Sequence, residues 1–254
     1  MNIIAYNQKL TTGNKKIFPN FLDLSILSIS NKMFIIFVLA MLAAVYASTD
    51  IAARVRYGAP DFKAKAVFSD SFIDITFSDY QARGEWTVLL FYPFDYTFVC
   101  PTELKSYSAS ASKFDSLKAK VLAISTDSHH AHLAWTRAKG EDGGVGKLNI
   151  PLVADTAHEI SRAYGVLVTD PEDDMYGAAL RGLFIIDPKG KIRMMQINDD
   201  SVGRNVDETL RLLQGFQYAD AHVGEACPAS WTPGADAIEA NPWGAKMYFE
   251  KHFK

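Results

Sequence analysis

The stretch FYPFDYTFVCPTEL, residues 91–104, decides the fold around the most reactive side chain of this sequence. It completes the apolar run WTVLLFYPF, whose β-branched and aromatic residues predict a buried strand. The residues that follow have helical character, with Pro101 suited to the first helical position and Glu103 to the first turn. The sequence therefore places Cys100 where a buried strand gives way to a helix.

A cysteine at such a junction can act as a nucleophile. A helix N-terminus offers unpaired N–H groups and a partial positive charge, and both stabilise a thiolate. Thr97 can place a hydroxyl beside the sulfur, and Pro93 can shield the thiolate from water. Attack by a thiolate also needs a donor at the atom where charge develops, and an arginine is the natural supplier.

Composition limits the classes of protein to consider. The 254 residues are 48% apolar and 22% charged, which is ordinary for a globular domain with an extension. A net charge of −3, without Lys/Arg runs beyond pairs, argues against a nucleic-acid partner. The two cysteines, Cys100 and Cys227, are too few for a disulfide scaffold and lack Cys-x-x-Cys or zinc spacing. Either one could alternatively be a small buried hydrophobe.

The apolar segment MFIIFVLAMLAAVYA, residues 33–47, is uncharged and too short to span a bilayer comfortably. It fits the central region of a signal peptide, with small residues suited to cleavage near Ala47. We therefore expect entry into the secretory pathway, to the endoplasmic reticulum or beyond, and no stable membrane span. The alternatives are translation from Met33, a core helix, a mitochondrial presequence, or a cytosolic protein whose leader is not used. Residues 1–53 contain no Arg, which disfavours a mitochondrial presequence.

The rest of the chain alternates between predicted strands and helices. VLAISTD (121–127) predicts a second buried strand, and Ser128 suits the cap of the helix after it. GLFIIDPKGKIRMMQIN (182–198) predicts a hairpin, and residues 205–219 predict an amphipathic helix. The glycine-rich loop 140–151 lacks the spacing of a phosphate-binding loop. The pattern indicates an α/β sheet with helices on both faces, whose reactive residues lie at strand ends beside helix N-termini.

The motif Pro93-x-x-x-Thr97-x-x-Cys100 resembles the active site of peroxiredoxins, and FYPFDYTFVCPTE is similar to that of the typical two-cysteine subgroup. DSHHAHLAW, NIPLVAD, RGLFIIDPKG, VGRNVDETLRL and GEACPASW resemble further family segments in the expected order. The resemblance implies a thioredoxin-like fold, with a central mixed sheet flanked by helices and a C-terminal extension. We expect a leader over residues 1–53, the thioredoxin-like domain over 54–215 and a C-terminal arm over 216–254.

The resemblance also implies roles for single residues. Cys100 would be the peroxidatic cysteine, and Cys227, in the arm, the resolving cysteine that forms a disulfide with a partner subunit. Thr97 and Arg181 would hold the peroxide, while Glu103 would orient an arginine of the site. No metal or organic cofactor is implied, because the sulfur carries the redox chemistry.

The implied activity is that of an antioxidant, thioredoxin-dependent peroxidase acting on hydrogen peroxide and alkyl hydroperoxides. Its implied partners are thioredoxin or a similar dithiol reductant and a second copy of the chain, with dimers able to form decamers. One alternative is a redox-regulated holdase chaperone or peroxide-signalling relay. Another is a secreted binding domain stabilised by an intrachain bond between Cys100 and Cys227.

Three further features carry expectations. GGVG (143–146) and Tyr248-Phe249 resemble motifs of peroxiredoxins that are easily over-oxidised, so we expect inactivation at high peroxide. The histidines of DSHHAHLAW (His129, His130 and His132) lack a fourth zinc ligand, and we expect packing rather than metal binding. VTDPEDDMYGAAL (168–180) is longer and more acidic than the resemblance implies, and we expect it to alter substrate access or a subunit contact.

Overall fold

A computed structural model of the chain describes residues 53–253, together with residues 33, 34 and 36–38 of the leader. The five leader residues are helical and exposed, and the rest of the apolar segment 33–47 lies outside the described residues. The chain divides into two compact units, Met1–Asp50 and Ile51–Lys254, and the second contains the features below. No helix among the described residues is long and apolar enough to cross a membrane.

Seven strands of the second unit form one mixed sheet in the order β2-β1-β5-β4-β3-β6-β7. The three central strands β5, β4 and β3 run parallel, and antiparallel pairs flank them on both sides. The strands are β1 (Lys63–Phe68), β2 (Ser71–Thr76), β3 (Trp86–Phe91), β4 (Ala119–Ser125), β5 (Leu152–Ala154), β6 (Arg181–Ile186) and β7 (Ile192–Asn198).

The central strand β3 explains why the sheet is covered on both faces. All six of its side chains are buried. Val88 and Leu90 belong to one hydrophobic cluster, whereas Leu89 and Phe91 belong to the other. Successive side chains of a strand point to opposite faces, so an uninterrupted apolar run requires packing on both. The prediction of an α/β sheet with helices on both faces is confirmed.

Some of the helices begin directly after a polar residue whose side chain accepts from their first N–H groups. The Ser128 hydroxyl accepts from the N–H of Ala131. The Asn205 side chain accepts from the N–H groups of Asp207 and Glu208. The cap predicted at Ser128 is therefore confirmed. The helices are α1 (Ser78–Ala82), α2 (Cys100–Ala109), α3 (Ala111–Ser116), α4 (His129–Arg137), α5 (Glu159–Ala163), α6 (Val206–Ala221) and α7 (Pro242–His252), with a 3-10 turn at Gly140–Asp142.

The edge hairpin β1–β2 is an element that the sequence analysis missed. Its strands are joined by Ser69 and Asp70, both with positive φ, at 49° and 63°. A two-residue hairpin turn needs positive φ at both positions, and glycine or asparagine usually signals it. Neither residue stands here, so the strongest sequence marker of the hairpin is absent.

The C-terminal arm is a small separate assembly of strands and a helix. Two short strands, β8 (Glu225–Ala226) and β9 (Ile238–Glu239), pair antiparallel, and α7 follows them. Cys227 comes directly after β8, and Trp231 beside it is almost fully buried. The resolving-cysteine candidate is thus held in an ordered segment.

Candidate active site

Cys100 lies at the first residue of α2, and its side chain is fully buried. The residue preceding the helix is Val99, which makes no side-chain cap. Pro101 is therefore the second helical residue, one position later than the sequence analysis placed it. The first N–H groups of α2 have no helical partner, and they surround the sulfur with partial positive charge.

Arg181 joins Cys100 to an acidic partner. Its Nη1 donates to the Cys100 sulfur at 3.4 Å and to Glu103 Oε2 at 2.8 Å. Its Nε donates to the backbone carbonyl of Asp200 at 2.5 Å. Arg181 begins β6, the antiparallel neighbour of β3, so the sheet brings the guanidinium to the end of the strand that leads into Cys100.

Glu103 lies between two arginines, and the second one, Arg204, was not assigned from the sequence. Arg204 donates to Oε1 from Nε and from its backbone N–H, both at 2.7 Å, and to Oε2 from Nη2 at 2.8 Å. Its Nη1 also donates to the carbonyl of Gly182 at 2.6 Å. Burial alone would raise the pKa of Glu103, but the hydrogen bonds and charges of Arg204 and Arg181 outweigh it and lower this pKa.

The buried charges of this cluster do not cancel among themselves. Two guanidiniums face one ionised carboxylate, and all three side chains are at most 3% exposed. This net positive charge lies beside the Cys100 sulfur, which also accepts a hydrogen bond from Arg181. Positive charge and a donor at the sulfur are what nucleophilic attack by a cysteine requires.

Pro93 and Thr97 form the segment that leads into α2. The Thr97 hydroxyl donates to the carbonyl of Phe94 at 2.9 Å, and the hydrogen bonds of the described residues include none between Thr97 and Cys100. Pro93 is buried and lines a cavity of about 240 Å³. The structure thus joins Cys100, Arg181 and Glu103 by hydrogen bonds, and it positions Pro93 and Thr97 through the backbone.

Comparison with family models and known proteins shows the family of this chain. Residues 55–195 match the model of the AhpC/TSA family, and residues 215–251 match the C-terminal domain of 1-Cys peroxiredoxin. The chain belongs to the AhpC/TSA family of peroxiredoxins. The arm of this peroxiredoxin carries Cys227, and the chain as a whole is of the typical two-cysteine kind.

Individual relatives cover nearly all of the chain beyond the leader. "Peroxiredoxin prdx-2" of Caenorhabditis elegans is 52% identical over 76% of this chain and 92% of its own length. The bovine "Thioredoxin-dependent peroxide reductase, mitochondrial" is 49% identical over 76% of this chain and 72% of its own. The crystal structure of reduced Plasmodium vivax 2-Cys peroxiredoxin superposes with a TM-score of 0.72, at 33% identity, over 77% of this chain and 98% of that one. The predicted thioredoxin-like fold with a C-terminal extension is confirmed.

The second cysteine of this peroxiredoxin has different surroundings. The Cys227 thiol donates to the carbonyl of Gly215 in α6 at 3.6 Å, and the Trp231 ring packs against the same glycine. Burial raises the pKa of Cys227, and the nearby charge of Arg211 opposes this only partly. Cys100 and Cys227 are not bonded to each other in this structure.

A buried polar network fixes the loop before Cys100. Asp95 accepts from the Tyr92 hydroxyl at 2.9 Å and lies 2.9 Å from Nδ1 of His132. The N–H of Asp95 donates to Asp127 at 2.9 Å. Tyr92 directly follows β3, Asp127 lies just after β4, and His132 is in α4, so these bonds tie the loop to the strand ends and to a helix. The sequence analysis expected His132 to pack, and it missed this connection to the active-site loop.

The other two histidines of that segment lie at the surface. The rings of His129 and His130 contact Phe72 edge-on. Burial and the neighbouring positive charges lower the pKa of His129. Among the described residues, no group of three His, Cys, Asp or Glu side chains is placed to hold a metal ion.

Proposed function

We propose that this peroxiredoxin reduces hydrogen peroxide and small organic hydroperoxides at Cys100. The observation that carries the proposal is the hydrogen bond from Arg181 to a fully buried sulfur, beside the ion pair with Glu103. In the first step the Cys100 thiolate attacks the distal oxygen of the hydroperoxide. An S–O bond forms and the O–O bond breaks. The leaving alkoxide or hydroxide takes up the proton that the Cys100 thiol had released, so alcohol or water departs and sulfenic acid remains on Cys100.

Arg181 assists this step by donating to the oxygens that gain charge. Its guanidinium is fixed by Glu103 and by the Asp200 carbonyl, so it needs no reorganisation when the peroxide arrives. Thr97 would hold the second peroxide oxygen, and Pro93 would keep water from the sulfur. These roles of Thr97 and Pro93 are inferred from the motif that they share with the family.

Cys227 would complete the cycle as the resolving cysteine. Its thiol condenses with the sulfenic acid on Cys100 of a partner subunit, which forms an S–S bond and releases water. A dithiol reductant then restores both thiols, and the name of the bovine relative supports thioredoxin in this role. The functional unit would be a homodimer that can assemble into decamers.

Entry into the secretory pathway is our proposal for the location of the protein. The support is the uncharged segment 33–47 followed by small residues near Ala47. N-terminal sequencing of the mature protein tests it. Retention of residues 1–47 would contradict it.

Non-reducing gel electrophoresis with and without peroxide tests the mechanism. The wild-type chain should run as a disulfide-linked dimer after one equivalent of peroxide and as a monomer after reduction. Cys100→Ser should give no dimer and no peroxide consumption, whereas Cys227→Ser should consume one equivalent and stay monomeric. An intrachain bond between Cys100 and Cys227, or full activity of Cys100→Ser, would overturn the proposal.

A further inference from the structure

The segment of residues 168–180 forms one wall of the 240 Å³ cavity that Pro93 also lines. It is tied back on itself by an isolated bridge between Leu167 and Ala179. The N–H of Val168 donates to the carbonyl of Ala178 at 2.9 Å, and the N–H of Gly177 donates to the carbonyl of Val168 at 3.0 Å. We refer to residues 168–180 as the acidic loop.

The tip of the acidic loop is also internally ordered. Asp170 accepts from the N–H of Glu172 at 3.0 Å, and Asp173 accepts from the N–H of Met175 at 2.8 Å. The N–H of Tyr176 donates to the carbonyl of Asp173 at 3.0 Å. These hydrogen bonds give the carboxylates of the loop a defined place relative to the cavity.

This cavity borders the segments that build the peroxidatic site. Its wall includes Leu180, the residue before Arg181, and Asp200, whose carbonyl accepts from Arg181 Nε. Asp199 and Asp200 come directly after β7, where Asn198 pairs with Arg181. A molecule in this cavity therefore lies against the segments that carry both Pro93 and the arginine of the site.

The charge of the cavity wall is of one sign. Four carboxylates line it: Asp173, Asp174, Asp199 and Asp200. No Lys, Arg or His is among the lining residues. The other lining residues are Pro93, Val168, Met175, Ala178, Ala179 and Leu180. Arg181 is not among the lining residues, and its guanidinium is paired with Glu103. A cleft lined by one sign of charge changes the local concentration of charged substrates by tenfold or more.

We propose that the acidic loop makes this peroxiredoxin discriminate against anionic hydroperoxides and favours uncharged ones. The inference rests on the proposed function and names its substrate class. Hydrogen peroxide and alkyl hydroperoxides without charge enter the cavity freely. A hydroperoxide that carries a carboxylate, such as an oxidised fatty acid, is repelled before it reaches Cys100.

The test compares a tertiary alkyl hydroperoxide that ends in a carboxylate with its methyl ester. The second-order rate of Cys100 oxidation is measured on the fully reduced chain, by quenching with an alkylating reagent and mass spectrometry. We expect the ester to react about tenfold faster at low salt. This ratio should fall at an ionic strength of about 0.5 M, because salt screens charges beyond a few ångströms.

Paired substitutions assign the effect to the loop. Asp173→Asn together with Asp174→Asn removes two charges, and Asn at 173 keeps an oxygen for the N–H of Met175. This variant should reduce the ester-to-acid ratio about fivefold. The control is Glu141→Gln with Asp142→Asn, which removes two exposed charges outside the cavity wall and should leave the ratio unchanged.

The outcomes separate this inference from the proposed function. If hydrogen peroxide does not oxidise Cys100 in the wild-type chain, the proposed function fails. If hydrogen peroxide oxidises Cys100 but the acid and the ester react equally fast, the discrimination is refuted. If the ester is preferred equally in the wild type and in the Asp173→Asn/Asp174→Asn variant, the acidic loop is not its cause.

Discussion

Cys100 and Cys227 occupy opposite environments in one chain. Cys100 is fully buried, begins a helix and accepts a hydrogen bond from a guanidinium. Cys227 is partly exposed, donates to a backbone carbonyl, and its pKa is raised chiefly by burial. Burial disfavours a thiolate unless cations and donors come with it. The Cys100 site supplies a cation and a hydrogen-bond donor and therefore suits a nucleophile. The raised pKa of Cys227 keeps that thiol neutral.

Removing the carboxylate from the cation cluster should give the largest effect. Glu103→Gln leaves two buried guanidiniums without an anionic partner, and breaking a buried ion pair in this way costs about 3–5 kcal/mol of the free energy of unfolding. Urea unfolding of the reduced protein measures the loss.

The control for this change is an exposed ion pair. Asp74→Asn removes the partner of Lys65 at the surface, where the expected loss is at most about 1 kcal/mol. The pKa of Glu103 is lowered on folding, so its contribution is present above the ordinary value of 4.5 and is lost as the pH falls through the lowered pKa. Glu103→Gln should flatten this acid-side loss. Equal destabilisation by both variants would contradict a special role for the cluster.

The donor to the Cys100 sulfur should matter for rate more than for folding. Arg181→Lys keeps the charge but cannot reach the sulfur, Glu103 and the Asp200 carbonyl together, so oxidation of Cys100 by hydrogen peroxide should slow about 10²-fold. Alkylation of Cys227 should not change. Stopped-flow measurement of the first oxidation step checks the rate.

Arg193→Lys provides the matched arginine control. Arg193 pairs with Asp187 and Asp220, outside the hydrogen bonds that hold Cys100. Its substitution should leave the oxidation rate within about twofold of wild type. A slowing as large as that of Arg181→Lys would show that general loss of arginine packing, and not the donor to the sulfur, is responsible.

The protection of the Cys227 thiol from solvent should depend on the ring of Trp231. Trp231 is 3% exposed and packs on Gly215 beside the Cys227 sulfur, so Trp231→Ala should expose the thiol and speed its alkylation about tenfold. Trp243→Ala is the control, because Trp243 is 78% exposed. Peptide-resolved alkylation measures both cysteines at once, and acceleration at Cys100 instead of Cys227 would refute the local effect.

The surroundings of Cys100 could be predicted from the sequence more fully than those of Cys227. The run WTVLLF, in which five of six residues are apolar, marks β3, and Pro101 marks the start of α2, so local chemistry alone places Cys100. The pairing of Arg181 with Cys100 and Glu103 came from resemblance, and the structure gives it distances. The setting of Cys227 against Gly215 and Trp231 depends on how the arm folds back, which no local pattern encodes.

Arg204 shows most clearly what sequence reasoning missed. It lies 101 residues from Glu103, yet it makes three of the hydrogen bonds that hold this carboxylate. Contacts of such separation depend on the packing of α6 against α2, and periodicity describes only one element at a time. One available signal was an Arg directly before the cap residue Asn205, where a guanidinium can reach a neighbouring helix start.

The arm should also influence the fate of the sulfenic acid. The rings of Tyr248 and Phe249 contact each other and the neighbouring rings of His252 and Phe253 on α7. If this pair covers Cys100 of a partner subunit, Tyr248→Ala with Phe249→Ala should speed disulfide formation and lower sulfinic Cys100 about threefold after excess peroxide.

Mass spectrometry of the Cys100 peptide measures the sulfinic fraction, with Trp243→Ala as a control for loss of an exposed ring of the same helix. If sulfinic acid forms equally in the wild type, the double variant and the control, the Tyr248-Phe249 pair does not influence over-oxidation. Absence of sulfinic acid from the wild-type chain would refute the expected sensitivity itself.

The smallest expected effect concerns the pH at which Cys227 reacts. Burial raises its pKa, so in a Cys100→Ser background the alkylation rate should rise with a midpoint above the ordinary value of 9.0. Glu225 contributes in the same direction, and Glu225→Gln should lower the midpoint, a weak effect because the pair lies near solvent. Arg211 acts in the opposite direction, so Arg211→Gln should raise the midpoint. A midpoint below 9.0 would contradict the raised pKa of Cys227, and the contrast between the two cysteines would then have to be explained by position alone.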